Sequence, residues 1–416
     1  MPEIDSDDST ARAAPLEGAR RYRCTVELVH RAAVVALALA ALCACQRSQN
    51  ALTVAVALLP DELPVYREVL AEFERHTGLT VVVVPQQYAD IRRALAAEAV
   101  SGRGTLDLVE LDVYSLAAAA PLVSDFDPDA LGADLEALAP EALAVGRIND
   151  GSASRLRFLP HRLSWQALIY NHAVLGTPPA TWADLLAVAR AHPGQIAVKG
   201  ALYEGLTCDV LPFVWSAGGS GEAFDDAGAR AAFAFFAELA PYLHPQSQVF
   251  KESTIAEAMA RGEIVLHLNW PFVMSLYATQ GLAPEPIRSA PLPSGPNGAR
   301  RTTVLGGGYI GIPRAAPHRV AAVQLARFLI GAMAQRRLHE SLGWFSARRD
   351  LPVSGSAELL DGFAAMRADV RPRPSRAGYA RLSRLWQQAF RAVVFEHAEV
   401  TPTLQEAQRN LTGAPR

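Results

Sequence analysis

The stretch LTVAVALLPDELPVYREVLAEFERHTGLTVVVV, residues 52–84, predicts a strand, a helix and a second strand in that order. Its apolar ends, residues 52–60 and 79–84, have the composition of buried strands. Between them, apolar residues recur at helical spacing after Pro64, and Gly78 is placed to end the helix. A β–α–β unit of this size implies a parallel sheet with a right-handed crossover.

The alternation of strand and helix continues along most of the chain. Residues 91–100 have amphipathic helical spacing, 105–112 (TLDLVELD) form an apolar strand, and 155–171 read as extended. Thr181 precedes a further helix, and Asp184 lies three residues on, which is the arrangement of a capping box. The sequence therefore predicts the α/β class.

Residues 253–272, STIAEAMARGEIVLHLNWPF, predict one more helix and strand. Thr254 and Glu257 fit a capping box, and 264–268 form a strand that delivers the loop NWPF. In open α/β sheets ligands gather at the carboxyl ends of the strands. The loop is therefore a candidate binding wall, with core packing of its two aromatic rings as the alternative.

The composition is that of a globular protein with room for two cores. The chain has 416 residues and a net charge of −3, and single cores stop growing near ~250–300 residues. A nucleic-acid surface would need a clustered basic face, and nothing in this composition suggests one. Cys43 and Cys45 have no second pair of Cys or His residues elsewhere in the sequence at the spacing of metal ligands. We expect no metal site, no cofactor and no nucleic-acid partner.

The N-terminal segment predicts export. The apolar run 32–44 is shorter than the ~20 residues of a membrane-spanning helix and suits a secretory signal. It ends in Leu-Cys-Ala-Cys at 42–45, which resembles the lipobox of bacterial lipoprotein signal peptides. We predict a signal peptide at 1–44, lipidation of Cys45, and a tether over 45–51. An ordinary signal peptide with incidental cysteines is the alternative.

An ordered series of segments resembles the family 1 extracellular solute-binding proteins, the maltose and oligosaccharide group that serves ABC importers. The series covers most of the chain. Its members are AEFERHTGLTV (71–81), GRGTLDLVELD (102–112), LIYNHAVL (168–175), AMARGEIVLHLNW (258–270), LGGGYIGIPRAAPHRVAAVQLARFL (305–329) and RPRPSRAGYARLSRLWQQAF (371–390). Ser346 departs from the pattern, because the family commonly has a proline near that point.

The resemblance implies a type II periplasmic-binding-protein fold. Two α/β lobes, each an open and mostly parallel sheet flanked by helices, would be joined by a hinge and enclose the ligand. Lobe one would take 51–160 and about 305–365, and lobe two about 165–300 and 372–416. The implied protein is an extracytoplasmic, lipid-anchored monomer that delivers a small molecule, a mono- or oligosaccharide, to ABC permease subunits.

A sugar offers hydroxyls for hydrogen bonds and C–H faces for aromatic rings, so its pocket combines polar and aromatic side chains. We predict ligand-binding residues of those types at the ends of the predicted strands, and the resemblance adds a glycine turn. The candidate ligand-binding set is Asp61, Gln87, Tyr114, Ser164, Trp165, Tyr203, Glu204, Asn269, Trp270, Phe272, Gly307, Gly308 and Tyr309. Tyr88 and Asp112 stand at the same strand ends. The glycines are not a phosphate loop, because no Lys-Ser or Lys-Thr follows them; they let a backbone approach a ligand closely.

Several of these residues have a structural alternative. Asp61 could cap the helix that follows it, and Tyr203 with Glu204 could form a solvated loop. In the hinge strand, Ser164 and Trp165 stand where several sugar binders of the family have an acidic contact. A lipid-anchored glycoside hydrolase or lyase is the rival from another class, and it would need paired carboxylates. No acid forms a catalytic motif, so we predict no catalytic residue. A ligand-sensing partner of a membrane receptor stays open.

The lipobox predicts different fates for the two neighbouring cysteines. Cys45→Ala should abolish labelling by a radioactive or clickable fatty acid and release the protein from membranes, because the acylated thiol is gone. Cys43→Ala is the matched control and should keep both labelling and membrane association. Loss of labelling in the Cys43 variant instead would contradict the predicted cleavage site.

Overall fold

The computed structural model describes residues 51–149, 151, 153–279, 286–296, 300–351, 357–376 and 378–413. Its strands are β1 Ala51–Val56, β2 Thr80–Pro85, β3 Leu108–Asp112, β4 Arg147–Asn149, β5 Ser154–Leu156, β6 Leu159–Trp165, β7 Ala167–Asn171, β8 Leu266–Asn269, β9 Ile287–Ala290, β10 Thr303–Gly311 and β11 Val370–Arg371. All contacts discussed below lie within one compact unit, which begins at Leu52.

The helices alternate with these strands as the sequence predicts. They are α1 Glu62–Thr77, α2 Tyr88–Ser101, α3 Leu116–Ala119, α4 Pro128–Leu131, α5 Ala133–Glu136, α6 Pro140–Gly146, α7 His172–Leu175, α8 Trp182–Ala191, α9 Glu204–Ser216, α10 Ala227–Leu239, α11 Glu252–Ala260, α12 Phe272–Thr279, α13 Arg319–Ile330, α14 Ala332–Leu342, α15 Ala357–Met366, α16 Tyr379–Val394 and α17 Val400–Thr412. None of them, within the described residues, is long and apolar enough to span a bilayer. The predicted signal peptide and Cys45 lie outside the described residues.

The first sheet has the strand order β11–β10–β3–β1–β2, and β6 also pairs with β10. Strands β1 and β3 are parallel, as the opening β–α–β unit predicts. Strand β10 runs antiparallel to both β3 and β6. Strand β10 comes from much later in the sequence than β3 and β6 and lies between them. The sheet therefore contains both parallel and antiparallel pairs.

The second sheet differs from the expected mostly parallel arrangement. Its three strands have the order β8–β7–β9, and both pairings of β7 are antiparallel. Strand β7 continues directly from β6 and not from a crossover helix, so its neighbours meet it from the opposite direction. Ile196 adds only isolated parallel bridges to Leu266 and Leu243 beside this sheet.

Each sheet has its own hydrophobic core. The first includes Ile91, Val109 and Phe158, and the second includes Trp215 and Trp386, all of them buried. The second core is built largely from α9, α10 and α16 packed on one another. Burial of these side chains at about 25 cal/mol per Å² is the main favourable contribution to folding.

Helix α15 packs on the second sheet, whereas the expected division places it with lobe one. The backbone N–H of Gly362 donates to Ser289 Oγ at 3.0 Å, and Phe363 is fully buried in the second core. The indole N–H of Trp165 donates to the Phe363 carbonyl at 2.7 Å. The chain therefore returns to the second core before residue 365.

Two predicted helix starts have different outcomes. The Thr181–Asp184 capping box that opens α8 is confirmed. The box assigned to Thr254 and Glu257 is wrong, because α11 begins at Glu252. There the Thr254 hydroxyl accepts a hydrogen bond from the Lys251 backbone N–H at 2.9 Å. Thr254 therefore caps the helix from inside its first turn.

The run Gly306–Gly308 on β10 is closely packed by three neighbouring groups. A Cβ on Gly306 would lie 2.6 Å from the Trp270 ring, and one on Gly308 would lie 2.0 Å from the Glu110 carboxylate. Gly307 has φ +124 and would place a Cβ 2.3 Å from the Arg162 carbonyl. Glycine is required here because three neighbours fill the space that a side chain would take.

We expect Gly307→Ala to lower the free energy of unfolding by about 3 kcal/mol, from backbone strain together with overpacking. Gly194→Ala is the control, because Gly194 has φ +77 with no atom within 4 Å of an added Cβ. It should cost only the backbone term of about 1–2 kcal/mol. Urea unfolding measures both, and equal losses would contradict the close approach at Gly307.

Candidate functional site

One face of the first sheet carries polar side chains over a glycine floor. Gly306 lies opposite Ser164, and Gly308 lies between Arg162 on β6 and Asp112 on β3. Because side chains alternate along a strand, these residues share a face. The opposite face is apolar. We call the face that carries Arg162, Ser164 and Asp112 the polar face.

Glu110 is the buried centre of the polar face. Its carboxylate pairs with His161 Nδ1 at 2.8 Å, with Arg162 Nε at 3.2 Å and with the Ala57 backbone N–H at 3.1 Å. Burial by itself would raise the pKa of Glu110. The Arg162 charge and the His161 contact outweigh burial, so that its pKa lies below the ordinary value. Glu110 is therefore ionised at neutral pH.

Arg162 is held between the carboxylate and aromatic rings. Its guanidinium lies 4.2 Å from the centre of the Trp344 ring and donates to the Tyr88 hydroxyl at 3.0 Å. The Trp344 indole in turn donates to Glu62 Oε1 at 2.9 Å. The ring fixes the cation by a cation–π contact, so this side of the polar face is rigid.

A second charged group joins the end of β3 to the start of α9. Arg373 donates to Asp112 Oδ1 at 2.6 Å and to Glu204 Oε1 at 2.8 Å. Its guanidinium lies over the Tyr114 ring, 5.0 Å from the ring centre, and Tyr379 donates its hydroxyl to Glu204. Burial raises the pKa of Asp112, against the opposing effect of Arg373.

Trp270 reaches the polar face from the second sheet. It follows β8, and Asn269 fixes the loop by donating to the Glu252 carbonyl at 3.0 Å and accepting from the Trp270 backbone N–H at 2.9 Å. The partly buried Trp270 ring packs over Gly306 beside Ser164. An aromatic ring that follows a strand of the second sheet thus meets the glycine run of the first.

The structure brings together about half of the residues predicted for the site. Those at or next to the polar face and its two charged groups are Tyr114, Ser164, Glu204, Asn269, Trp270, Gly307 and Gly308. Phe272 is partly buried against the second core. Tyr203 immediately precedes Glu204, and Lys251 Nζ lies 5.5 Å from the centre of its ring.

Four predicted residues lie elsewhere. Trp165 is 3 % exposed and Tyr309 is fully buried, with its hydroxyl donating to the Ala142 carbonyl at 3.0 Å, so both are core residues. Asp61 is exposed, and its neighbour Glu62 turns inward instead. Gln87 is exposed and makes no capping hydrogen bond with its side chain.

The charged centre of the site is not among the residues predicted from the sequence. Glu110 stands two residues before Asp112, and Arg162 two residues before Ser164, so period-2 alternation could have placed both pairs on one face. Arg373 and Trp344 had no local signal, because each reaches the site only through tertiary packing.

A cavity of about 520 Å³ adjoins the second charged group, with Val113, Trp215, Arg371 and Arg373 in its lining. Two depressions of about 610 and 640 Å³ lie on the outer surfaces of α1 and α14, away from the polar face. Among the described residues, no three His, Cys, Asp or Glu side chains cluster to hold a metal ion.

Comparison with known proteins agrees with this architecture. Structures that match include maltose-bound T. maritima MalE3, with 24 % identity, TM-score 0.73 and coverage of 87 % of this chain and 98 % of that one. A Thermotoga lettingae solute-binding protein with bound α-D-tagatose matches with 20 % identity, TM-score 0.74 and the same coverage. The chain thus has the type II periplasmic-binding-protein fold.

The sequence comparison defines the family. Residues 68–358 match the family described as bacterial extracellular solute-binding protein, and the chain belongs to it. A probable ABC transporter-binding protein of Deinococcus radiodurans is 25 % identical over 294 residues, covering 63 % of this chain and 68 % of that protein.

The Glu110 group predicts a pH-dependent loss of stability. Glu110→Gln should lower the free energy of unfolding by about 3 kcal/mol at pH 7, because Arg162 loses its buried counter-ion. A lowered folded-state pKa contributes stability that is lost on acidification. The difference between wild type and variant should therefore shrink as the pH falls below 4.5, the ordinary value for Glu.

Glu68→Gln is the control for this experiment, since the Glu68 side chain is 66 % exposed. It should change the stability by no more than about 0.5 kcal/mol at either pH. Denaturant titrations at pH 7 and pH 4 measure both variants. A pH-independent loss in the Glu110 variant would show that its charge is not the stabilising feature.

Proposed function

We propose that this protein captures a mono- or oligosaccharide between two lobes and delivers it to an ABC importer. The observation that carries the proposal is the polar face: a glycine floor with carboxylate, guanidinium and hydroxyl groups around it and the Trp270 ring above it. Hydroxyls of a sugar would exchange hydrogen bonds with the polar groups, and its C–H face would stack on the ring.

The relatives support the same function. Solved structures of similar fold have maltose or α-D-tagatose bound, and another is a cyclic α-maltosyl-1,6-maltose binding protein from Arthrobacter globiformis. The Deinococcus relative is described as a probable ABC transporter-binding protein. Family and fold therefore favour transport over catalysis.

The two cores suggest the division into lobes. Lobe one would comprise residues 51–164 and about 304–351, and lobe two about 166–300 and 357–413. The crossings would lie next to Gln166 and Thr303, where the chain passes from one sheet to the other. Ligand binding would close the lobes by a hinge motion.

Export and anchoring follow from the N-terminal sequence. The protein would be held outside the cytoplasm by acyl chains on Cys45, and the residues that follow would form a short tether. Two or three acyl chains bind a membrane far more firmly than one. A monomer tethered in this way could meet permease subunits in the same membrane.

The rival glycoside hydrolase would need an acid and a base free to act. Asp112 and Glu204 are acids from opposite sides of the site, but each accepts a hydrogen bond from Arg373. Release of reducing sugar from oligosaccharides by excess protein would support the enzyme and contradict a binding-only role. We expect no release.

A thermal-shift screen against mono- and disaccharides tests the proposed function. A ligand at 100 times its Kd stabilises the protein by about 2.7 kcal/mol. We expect at least one sugar to raise the melting temperature, and polyamines and amino acids to leave it unchanged. A shift with an amino acid or polyamine alone would overturn the assigned ligand class.

Substitution of two tryptophans separates ligand binding from stability. Trp270→Ala should weaken sugar binding at least about tenfold, since stacking on an aromatic ring is lost, with little change in the melting temperature of the unliganded protein. Trp165→Ala is the control and should cost about 3–5 kcal/mol of stability with nearly normal affinity. Calorimetric titration and thermal melting read the two effects, and the reverse pattern would place Trp270 in the core.

A further inference from the structure

Arg373 is a buried cation between two carboxylates that come from different parts of the fold. Its side chain is only 2 % exposed. Asp112 ends a strand of the first sheet, whereas Glu204 begins a helix of the second core. Each pairs with one terminal nitrogen of the same guanidinium, at 2.6 and 2.8 Å. A planar fork of donors suits such double recognition better than an ammonium group.

The surrounding side chains fix this guanidinium in place. The Tyr114 ring lies beneath it at 5.0 Å. Glu204 is held by two further donors, the Tyr379 hydroxyl and the Ser383 hydroxyl, the latter at 2.7 Å. The carboxylate therefore keeps its orientation whether or not the arginine is present.

The charge balance depends on Arg373. The side chains of Asp112 and Glu204 are 18 % and 24 % exposed. Two carboxylates that share a partly buried site and lack a counter-ion attract a cation or take up a proton. With Arg373 in place, both carboxylates already accept a charged hydrogen bond, and the position from which one cation could reach both of them is filled.

We propose that Arg373 is a specificity-determining residue: it is a built-in guanidinium that fills the Asp112–Glu204 carboxylate pair, so that the site accepts uncharged ligands and rejects cationic ones. This inference rests on the proposed function, since it assumes that the polar face is the ligand site. The excluded class comprises amino sugars, polyamines and guanidino compounds. Amino sugars differ from neutral sugars chiefly in their charge.

A cavity of about 520 Å³ adjoins Arg373, which is one of its lining residues. Removal of the Arg373 side chain would extend this cavity toward Asp112 and Glu204. Arg373→Ala would leave the two carboxylates facing a space that methylguanidinium can enter. The probe carries the same planar donors as the deleted side chain.

Calorimetric titration of the full-length protein with methylguanidinium at pH 7 is the central experiment. Arg373→Ala should bind the probe at least about tenfold more tightly than the wild type, because charged hydrogen bonds to both acids become available. The probe should also raise the melting temperature of the variant. Arg373→Lys keeps the positive charge and should bind methylguanidinium no more tightly than the wild type does. Equal binding by wild type and the Ala variant would overturn the proposal.

Two further variants control for general effects. Arg157→Ala also removes a buried arginine, but its partner Asp125 keeps an ion pair with Arg155 at 2.8 Å, so methylguanidinium should not stabilise that variant. Equal stabilisation of both variants would overturn the proposal. Adding Asp112→Asn and Glu204→Gln to Arg373→Ala should abolish binding of the probe, and persistent binding would contradict the assigned carboxylates.

The proposal stays testable if Arg373→Ala does not fold. Asp112→Ala leaves the arginine with one charged partner and removes the side chain that occupies the other place, and we expect acetate to bind this variant at least about tenfold more tightly than the wild type. No gain for acetate would count against the role of Arg373.

The selectivity readout is the ratio of affinities for a neutral sugar and its amino analogue. In Arg373→Ala this ratio should shift toward the amino sugar by about tenfold or more, a change that a purely structural ion pair would not produce. If no sugar binds the wild type, the proposed function fails, but the methylguanidinium titration still tests whether Arg373 fills the carboxylate pair. If sugars bind but neither the ratio nor the probe responds, only the role of Arg373 fails.

Discussion

The close approach of three groups to Gly306–Gly308 is the constraint on which the site depends. The Trp270 ring, the β6 backbone and the Glu110 carboxylate occupy the positions that side chains on β10 would take. Because β10 pairs with β3 and β6 at once, a shift there would disturb both neighbours and the contact with Trp270. Interiors pack at nearly crystalline density, so little relaxation is available. The absence of side chains on β10 is what allows the Trp270 ring and the Glu110 carboxylate to come this close to its backbone.

The buried ion pairs fix the orientation of side chains more than they stabilise the fold. Glu110 is paired with Arg162, whereas Asp112 and Glu204 share one cation, Arg373. Removing such ions from water costs several kcal/mol, which their mutual attraction only roughly repays. What the pairs contribute is fixed orientation in a region with few free charges. A neutral, hydroxyl-rich ligand is the kind of molecule that such a region can bind without a large desolvation cost.

Local patterns predicted the elements well and the site only in part. The opening strand–helix–strand unit and the Thr181–Asp184 capping box depend on neighbouring residues, so their signals are in the sequence. Trp165 and Tyr309 are predicted ligand residues that prove to be buried, because a position at a strand end does not reveal on which face of the sheet its ring lies. Arg373 reaches Asp112 across 261 positions of sequence. No local rule encodes that contact, because it exists only after both sheets have assembled.

The passage between the sheets links the site to the second core. The Thr303 hydroxyl donates to the Gln166 carbonyl at 2.8 Å, and the Gln166 amide donates to Asp209 at 3.0 Å. Asp209 is paired with the fully buried Lys199 at 2.6 Å. Ser164 lies two residues before Gln166, and Gly306 lies three residues after Thr303. The residues proposed to touch a ligand therefore adjoin those proposed to flex in closure, so that ligand contacts at the polar face would be made next to the hinge.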